Sequence, residues 1–232
     1  MPKERLFSIV YEDKDILVAD KPPGLLAVPI PGSKKENLAD LVSAYTAPSG
    51  DRTQAVHRID RFTSGLMVFA KHDKAFHHLK RQFSRNQPER IYLAMVRGAL
   101  KTDFGELYHH LQRIKSGFRN VVVSETDPEG TPAFLEYEVV ERFNQATLVA
   151  VRLGTGLKNQ IRVQFAAAGH QVIGDRHYSA SEQNVQGLDR QALHAYRLEF
   201  KHPAKNKNIA VEAQVPPDLQ QLIDSYRKDR NG

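Results

Sequence analysis

Four charged or titratable side chains lie within five residues of the chain, immediately before an apolar run. They are His57, Arg58, Asp60 and Arg61, in the stretch HRIDRFTSGLMVFAK. Groups crowded this closely need partners, because a charge removed from water without one is costly. A carboxylate in such a setting can act as a nucleophile or a base, and SGLMVFAK has the composition of a buried strand that would hold it. The stretch is therefore a candidate active site.

The residues alone leave two alternatives open for this stretch. Asp60 and His57 could form the acid–base pair of a small-molecule hydrolase, although the chain has neither a serine elbow nor a metal-ligand spacing to complete one. Asp60 could also be a turn residue that caps its own backbone.

Composition narrows the class of protein. The chain has 232 residues, 41% of them hydrophobic, which is enough for a sizeable core. It contains no cysteine, which excludes disulfides, thiolate nucleophiles and thiolate metal sites. Its N-terminus lacks the apolar core of a signal peptide, and no run of apolar residues is long enough to cross a membrane. We expect a cytoplasmic protein without a membrane partner.

Positive charge exceeds negative charge. Lys and Arg number 33 against 27 Asp and Glu, which gives a net charge of +6 and a pI near 9.4. A basic balance favours polyanionic partners. The helix predicted over residues 73–86 is apolar at Phe76, Leu79 and Phe83 and basic on its other face, which includes Lys80 and Arg81. That face is either a solvated surface or part of an RNA-binding surface.

Short strands and helices alternate along the chain, which predicts an α+β fold with a large mixed, mostly antiparallel sheet flanked by helices and loops. We expect a single domain over 1–232. Strands are predicted at 7–13, 15–24, 64–71, 90–98, 120–126, 132–143, 146–156, 193–203 and 209–215, helices at 37–45, 73–86, 157–169 and 217–228, and exposed loops at 32–37 and 175–190. In the helix over 157–169, Ile161, Phe165 and Ala168 share one face and Gly169 ends it.

Cofactor motifs are missing from the sequence. The pairs His77–His78 and His109–His110 cannot share a metal, because adjacent side chains diverge. LGTGLKNQ carries two glycines before a predicted helix but lacks the phosphate-loop spacing. We therefore predict no metal and no nucleotide cofactor.

HRIDRFTSGLMVFAK resembles HRLD-x-x-TSGLLLFAK, the signature of the RluA-type pseudouridine synthases, which isomerise uridine in ribosomal and transfer RNA. VYEDKDILVADKPPGLLAVP, RIYLAMVRG, LGTGLKNQIRVQFAAAGHQVIGDRHYS and LHAYRLEFKHP resemble further family segments, in the family's order. The similarity covers residues 7–215. It implies the family's catalytic fold, RNA as partner and no cofactor. It leaves no room for the S4-type RNA-binding domain that many relatives carry, and we expect a monomer.

The resemblance also implies roles for individual residues. Asp60 matches the essential aspartate that opens the glycosidic bond, and Arg162 matches the cation that keeps this carboxylate ionised. Tyr92 matches a tyrosine that stacks on the target uracil, with Ile161 behind it. Arg58 matches the side chain that enters the RNA helix once the nucleotide has flipped out. The remaining predicted substrate-binding residues are His57, Arg61, Lys80 and Arg81.

The chain departs from the family pattern around Arg162. Relatives commonly read T-G-R-T-H-Q-I-R-V-H, whereas residues 155–164 read TGLKNQIRVQ. We expect the changes at Leu157, Lys158, Asn159 and Gln164 to alter RNA contacts rather than the reaction, and loops within 101–135 to select the target. The alternative is a catalytically inactive RNA-binding protein or RNA chaperone with the same fold.

Overall fold

The computed structural model describes residues 6–114, 119–178 and 187–231. Within them the helices are α1 (Leu38–Thr46), α2 (Asp73–Ser84), α3 (Gln160–Ala167) and α4 (Pro217–Asn231). The strands are β1 (Ser8–Glu12), β2 (Ile16–Lys21), β3 (Gln54–Ala55), β4 (Ser64–Ala70), β5 (Glu89–Arg97), β6 (Phe104–Arg113), β7 (Asn120–Val123), β8 (Thr131–Arg142), β9 (Ala146–Leu153), β10 (Leu193–Lys201) and β11 (Asn208–Glu212).

The chain divides into two compact units. Unit 1 comprises Met1–Arg90 with Ala195–Gln214, and unit 2 comprises Ile91–His194 with Val215–Gly232. Elements of both classes occur in each unit, as expected for an α+β fold. The prediction that residues 1–232 act as a single catalytic domain stays a prediction.

In unit 1 the strands lie in the order β1-β2-β4-β10, with β3 beside β4 and β11 beside β10. The pairs β1–β2, β2–β4, β3–β4 and β10–β11 are antiparallel. All seven residues of β4 are buried, so both faces of this strand are covered. The core around it includes Ile16, Val18, Val68, Leu198 and Phe200.

Helix α2 confirms the amphipathic prediction for residues 73–86. Leu79 is fully buried, and Phe76 and Phe83 pack against the core of unit 1. The helix begins after His72, whose Nδ1 accepts the Ala75 amide at 3.2 Å, as an N-cap does. The opposite face keeps its cations towards solvent.

Gly65 is required by the close approach of two strands in unit 1. Its φ is +113°, and a Cβ built on it would lie 2.3 Å from the Ala195 carbonyl oxygen. Both conditions exclude a side chain at this position. Gly65 therefore lets β4 lie against β10.

In unit 2 the strands lie in the order β5-β9-β8-β6-β7, all paired antiparallel. Helix α3 packs on β6 and β7, and Val163 lies in a cluster with Leu111 and Ala133. Six consecutive α3 residues, 160–165, are buried, so no face of its first turns is exposed to solvent. The chain leaves the helix through Gly169, at φ +80°, as predicted. Ala168 is the C-cap residue and is exposed.

Two other predictions need correction. The stretch 101–135, expected to supply target-selecting loops, contains β6 and β7 and the start of β8. The stretch 175–190, expected to be an exposed loop, begins with the buried Asp175, and its residues 179–186 lie outside the described part of the chain. Strand β3 was also not predicted. No helix among the described residues is long and apolar enough to span a membrane.

Candidate active site

The segment from Val56 to Asp60 alternates between the core and the surface of unit 1. Val56 and Ile59 are buried, Arg58 is exposed, and Asp60 is partly exposed. The segment follows β3 and precedes β4. The apolar residues anchor the charged ones. No partner for the Arg58 guanidinium occurs among the described residues.

His57 extends the pairing of β3 with β4. The last pair of this ladder is Ala55 with Phe69. One residue before Phe69, the Val68 amide donates to Nε2 of His57 at 3.1 Å, and the imidazole stacks on Phe83 with ring centroids 4.4 Å apart. The imidazole thus supplies a hydrogen-bond acceptor for the Val68 amide beyond the last backbone pair of β3 with β4.

Burial, and then the positive charges of Arg90 and Lys80, lower the pKa of His57 to about 3. The ring is therefore neutral at physiological pH, with its proton on Nδ1, because Nε2 accepts the Val68 amide. These contacts favour a positioning role for His57 over the acid–base role of the hydrolase alternative.

A turn follows Asp60 and is joined to the Pro-Pro-Gly turn after β2. The Thr63 amide donates to the Asp60 carbonyl at 3.1 Å. Gly24 donates its amide to the Arg61 carbonyl at 2.9 Å, and Arg61 Nε donates to the Gly24 carbonyl at 2.7 Å. The Arg61 guanidinium also lies 5.0 Å from the ring centroid of Phe62. Arg61, predicted to bind substrate, thus also holds two turns together.

Lys21 also holds the turn after Asp60 and the turn after β2 together. Its side chain is fully buried, and Nζ donates to the carbonyls of Pro22, Leu25 and Arg61 at 2.8, 2.8 and 2.9 Å. An ammonium group has three protons, so these bonds use its whole donor capacity. Sequence reasoning missed this residue. Its signal was a lysine at the end of a mostly apolar strand, directly before Pro-Pro-Gly.

The two predicted helix cations have different surroundings. Lys80 Nζ lies 3.4 Å from the Val56 carbonyl, so this cation contacts the segment that carries Asp60. Arg81 is exposed and lines a groove of unit 1.

Tyr92, Ile161 and Arg162 belong to unit 2. Tyr92 lies on β5 opposite Val151 of β9, and Ile161 and Arg162 lie in the first turn of α3. All three are buried: Arg162 is 5% exposed, although it carries a permanent charge. A buried guanidinium requires a counter-charge.

Asp175 supplies that counter-charge. Arg162 donates Nε to Oδ2 of Asp175 at 2.5 Å and Nη2 to Oδ1 at 2.8 Å. Asp175 is 0% exposed, and its Oδ1 also accepts the amides of His177 and Tyr178. Bidentate geometry fixes the plane as well as the position of the guanidinium. Sequence reasoning missed Asp175 too, although Gly174-Asp175 lies within one of the segments that resemble the family.

Two further residues orient the guanidinium of Arg162. Asn159 Oδ1 accepts from Nη1 at 3.3 Å, and the ring of Tyr178 lies 5.4 Å from Cζ. The Tyr178 hydroxyl in turn donates to the Asn120 carbonyl at 2.8 Å. Asn159 has φ +55°, a left-handed conformation that asparagine tolerates well. The departure from the family pattern at 159 therefore lies within this network.

Gln164, another departure, is fully buried. Its Nε2 donates to the carbonyls of Leu107 and Ala133 at 2.9 and 3.1 Å, which ties α3 to β6 and β8. We expected changes at this position to affect RNA contacts. That expectation is wrong for Gln164, because a side chain without solvent exposure cannot touch RNA.

One cluster of possible metal ligands occurs among the described residues. Donor atoms of Asp13, Asp15 and His202 lie within 4.8 Å of one another. However, His202 Nδ1 accepts the amides of Ala204 and Lys205, so its Nε2 carries the proton and donates to Asp13 at 2.9 Å. Lys205 Nζ contacts the same carboxylate at 2.6 Å. The chemistry of this set fits a hydrogen-bonded ion cluster better than a metal site.

Comparison with known proteins gives consistent matches. A family model described as RNA pseudouridylate synthase matches residues 15–167. An uncharacterized RNA pseudouridine synthase of Aquifex aeolicus is 34% identical over 95% of this chain and 73% of its own length. Ribosomal large subunit pseudouridine synthase D of Xylella fastidiosa is 35% identical over 99% of this chain and 72% of its own. The structure of human RNA Pseudouridylate Synthase Domain Containing 4 matches with a TM-score of 0.79 at 20% identity, covering 95% of this chain and 93% of that one, which supports the fold.

Proposed function

The chain belongs to the RluA-type RNA pseudouridine synthases, which isomerise uridine in RNA, and we propose that Asp60 opens the glycosidic bond of its target uridine. The observation that carries this proposal is the position of Asp60. It lies partly exposed at the end of a segment that His57, Lys21 and Arg61 hold in place through hydrogen bonds. Such support is what a reacting carboxylate requires.

The reaction needs a carboxylate in either of its possible routes. Asp60 attacks C1′ and displaces the uracil, or it removes the 2′ proton so that the base leaves and a glycal forms. The detached uracil turns and C5 bonds to C1′. In the first route this displaces the Asp60 carboxylate from C1′, and in the second Asp60 returns its proton to C2′. C5 then loses its hydrogen as a proton and N1 takes one up. Reactant and product are isomers, so the reaction itself consumes no oxidant and no nucleotide.

We propose that Tyr92 stacks on the uracil and assists loss of the C5 proton, with Ile161 supporting it. Arg162 would provide the positive charge that keeps Asp60 ionised during the reaction. Its own orientation is fixed by Asp175, Asn159 and Tyr178. Burial suits both roles, because electrostatic interactions strengthen where water is excluded.

The target RNA is proposed from the relatives and the surface charge. Several relatives are named ribosomal large subunit pseudouridine synthase D, and we propose ribosomal RNA, in the cytoplasm, as the substrate here too. Arg58 is exposed, and no partner for it occurs in the described ranges, so its guanidinium can enter the space left by a flipped nucleotide.

Release of tritium from RNA labelled at uridine C5 tests the role of Asp60. Asp60→Asn should abolish release while RNA affinity and the cooperativity of unfolding persist, because the amide is nearly isosteric. Asp73→Asn, an exposed carboxylate on α2, is the matched control and should keep the wild-type rate. Release by well-folded Asp60→Asn at more than a small fraction of the wild-type rate would reject the assignment. Binding without release by the wild-type protein would favour an inactive RNA-binding protein.

A further inference from the structure

A groove in unit 1 lies apart from the segment that carries Asp60. It has a volume of about 470 Å³, and its walls come from the second half of α2, the residues after it and the ends of β10 and β11. None of the lining residues belongs to 56–63. They are His78, Arg81, Gln82, Gln87, Glu89, Glu199, Phe200, Lys201 and Asn208.

Gln82 joins the two walls of the groove. Its Nε2 donates to the Lys201 carbonyl at 2.8 Å, and its Oε1 accepts the Lys201 amide at 3.0 Å. These two bonds settle the orientation of the amide. Nε2 also lies 3.0 Å from Nδ1 of His78, which must therefore accept. The proton of His78 is then on Nε2, where no partner occurs within the described part of the chain.

The carboxylates of the groove are already occupied. Glu199 accepts from Arg197 at 3.1 Å and from Asn208 at 3.1 Å. Glu199 raises the pKa of the Arg197 guanidinium most, against burial, which lowers it, and Glu212 and then Glu89 raise it further. Arg197 thus balances the negative charge in this part of unit 1.

The cations of the groove are not balanced in this way. Neither the Arg81 guanidinium nor the Lys201 ammonium has a carboxylate partner in residues 6–114, 119–178 and 187–231, and both residues are exposed. Burial, and then the positive charges of Arg81 and Lys201, lower the pKa of His78. His78 is therefore a neutral N–H donor beside two uncompensated cations. A group with several acceptor oxygens and a negative charge would satisfy all three.

We propose that this groove binds a backbone phosphate of the RNA substrate, through Arg81, Lys201 and Nε2–H of His78. The inference rests on the proposed function, since it takes RNA as the ligand, and it adds a contact away from the target uridine. A phosphodiester carries one negative charge and acceptor oxygens only, which matches a donor set without free acceptors. Such a contact would help to offset the cost of unstacking the target uridine.

Binding of a short fluorescein-labelled RNA hairpin, measured over a series of salt concentrations, tests the groove. Arg81→Ala and Lys201→Ala should each weaken binding roughly tenfold at low salt and reduce the slope of log K against log salt by about one. Lys201→Arg should restore most of the affinity. Lys207→Ala removes the same charge from the same β10–β11 hairpin but outside the groove, and it should change affinity less than either variant.

Unchanged affinity and slope in Arg81→Ala and Lys201→Ala would overturn the proposal, as would an equal loss in Lys207→Ala. Calorimetry with inorganic phosphate tests whether the groove binds a free anion instead of RNA. Saturable phosphate binding that is lost in Lys201→Ala, while RNA affinity is unchanged, would also overturn the proposal. The RNA-binding measurement does not depend on whether the protein catalyses the reaction. Wild-type protein that binds RNA through the groove but releases no tritium would contradict the catalytic assignment alone. Tritium release by a protein whose groove variants bind RNA normally would contradict only the proposal for the groove.

Discussion

Arg162 and Asp175 form a buried bidentate ion pair, with N–O distances of 2.5 and 2.8 Å, that joins the first turn of α3 to a turn thirteen residues later. The same Asp175 carboxylate accepts the two amides that shape this turn. A change at Asp175 should therefore alter both the conformation of the chain and the charge at Arg162.

Asp175→Asn should lower the free energy of unfolding by about 3–5 kcal/mol, because it leaves a buried guanidinium without its counter-charge. It should also reduce kcat more than it raises KM for RNA, since Arg162 is proposed to act in the reaction. Asp189→Asn, whose carboxylate pairs with Arg176 at the surface, is the control and should change both quantities little. Urea unfolding and tritium release measure the two effects. Equal losses in both variants would contradict the role of Asp175.

Lys21→Met should destabilise the protein by roughly 3 kcal/mol or more, because three buried carbonyls lose a charged donor. Amide exchange of Gly24 should accelerate beyond the global change, since this amide bonds to the Arg61 carbonyl that Lys21 also holds. Lys14→Met, on the exposed turn before β2, is the control. If Gly24 exchanged at the rate expected from global unfolding alone, Lys21 would not be stabilising this junction.

His57 predicts a pH dependence of stability. The unfolded chain binds a proton at this residue below about pH 6.5, whereas the folded protein keeps the ring neutral until about pH 3. Between these values acid favours the unfolded state, so stability falls as the pH is lowered.

His57→Gln keeps an acceptor near the Nε2 position but does not titrate. Its unfolding free energy should fall less steeply from pH 6.5 to pH 4.5, by up to about 1.4 kcal/mol per pH unit. Urea unfolding at several pH values measures the difference, and parallel curves for the two proteins would show that His57 is not the titrating group.

Arg58→Ala should weaken RNA binding or raise KM while leaving stability within about 0.5 kcal/mol of wild type. The side chain is exposed, and no contact within the folded chain is described for it. Arg52→Ala removes a similarly exposed guanidinium that faces Asp73, and RNA affinity should change less in that variant. Loss of stability without loss of affinity in Arg58→Ala would assign Arg58 to the fold.

Gln164→Met should cost about 1–3 kcal/mol of stability, because the carbonyls of Leu107 and Ala133 lose their donor. RNA affinity of the folded variant should be unchanged. Lys158→Met, two residues before α3 and exposed, should show the opposite pattern if residues in this loop still contact RNA. A selective loss of RNA affinity in Gln164→Met would restore the expectation that the structure overturned.

The candidate site could be identified from the sequence where its residues are neighbours in the chain. The segment 57–61 and the pair Ile161–Arg162 stood out through their motifs. The partnership of Arg162 with Asp175 did not, because the spacing depends on a turn whose shape no periodicity reveals. Likewise, the role of Lys21 was not predicted, because a lysine at the end of a strand ordinarily extends into solvent.

The fold was predictable where apolar residues alternate with polar ones or run continuously, as in β4 and β9. Strand β6 was missed because its pattern is reversed. Phe104 and Tyr108 face solvent at 77% and 56% exposure, while the inward positions between and after them include Gly105 and His109. Large side chains outside, with a glycine and a histidine among the inward positions, interrupt the hydrophobic alternation that indicates a strand.

Gly65 has a consequence for how sequences of this kind are compared. The backbone of Ala195 occupies the space of any side chain at that position, so the glycine is required whether or not the protein catalyses a reaction. A descendant that lost Asp60 would still need it in order to fold. A match to the Ser64-Gly65 part of the signature therefore reports common architecture, whereas the proposed activity depends on Asp60, four residues before Ser64.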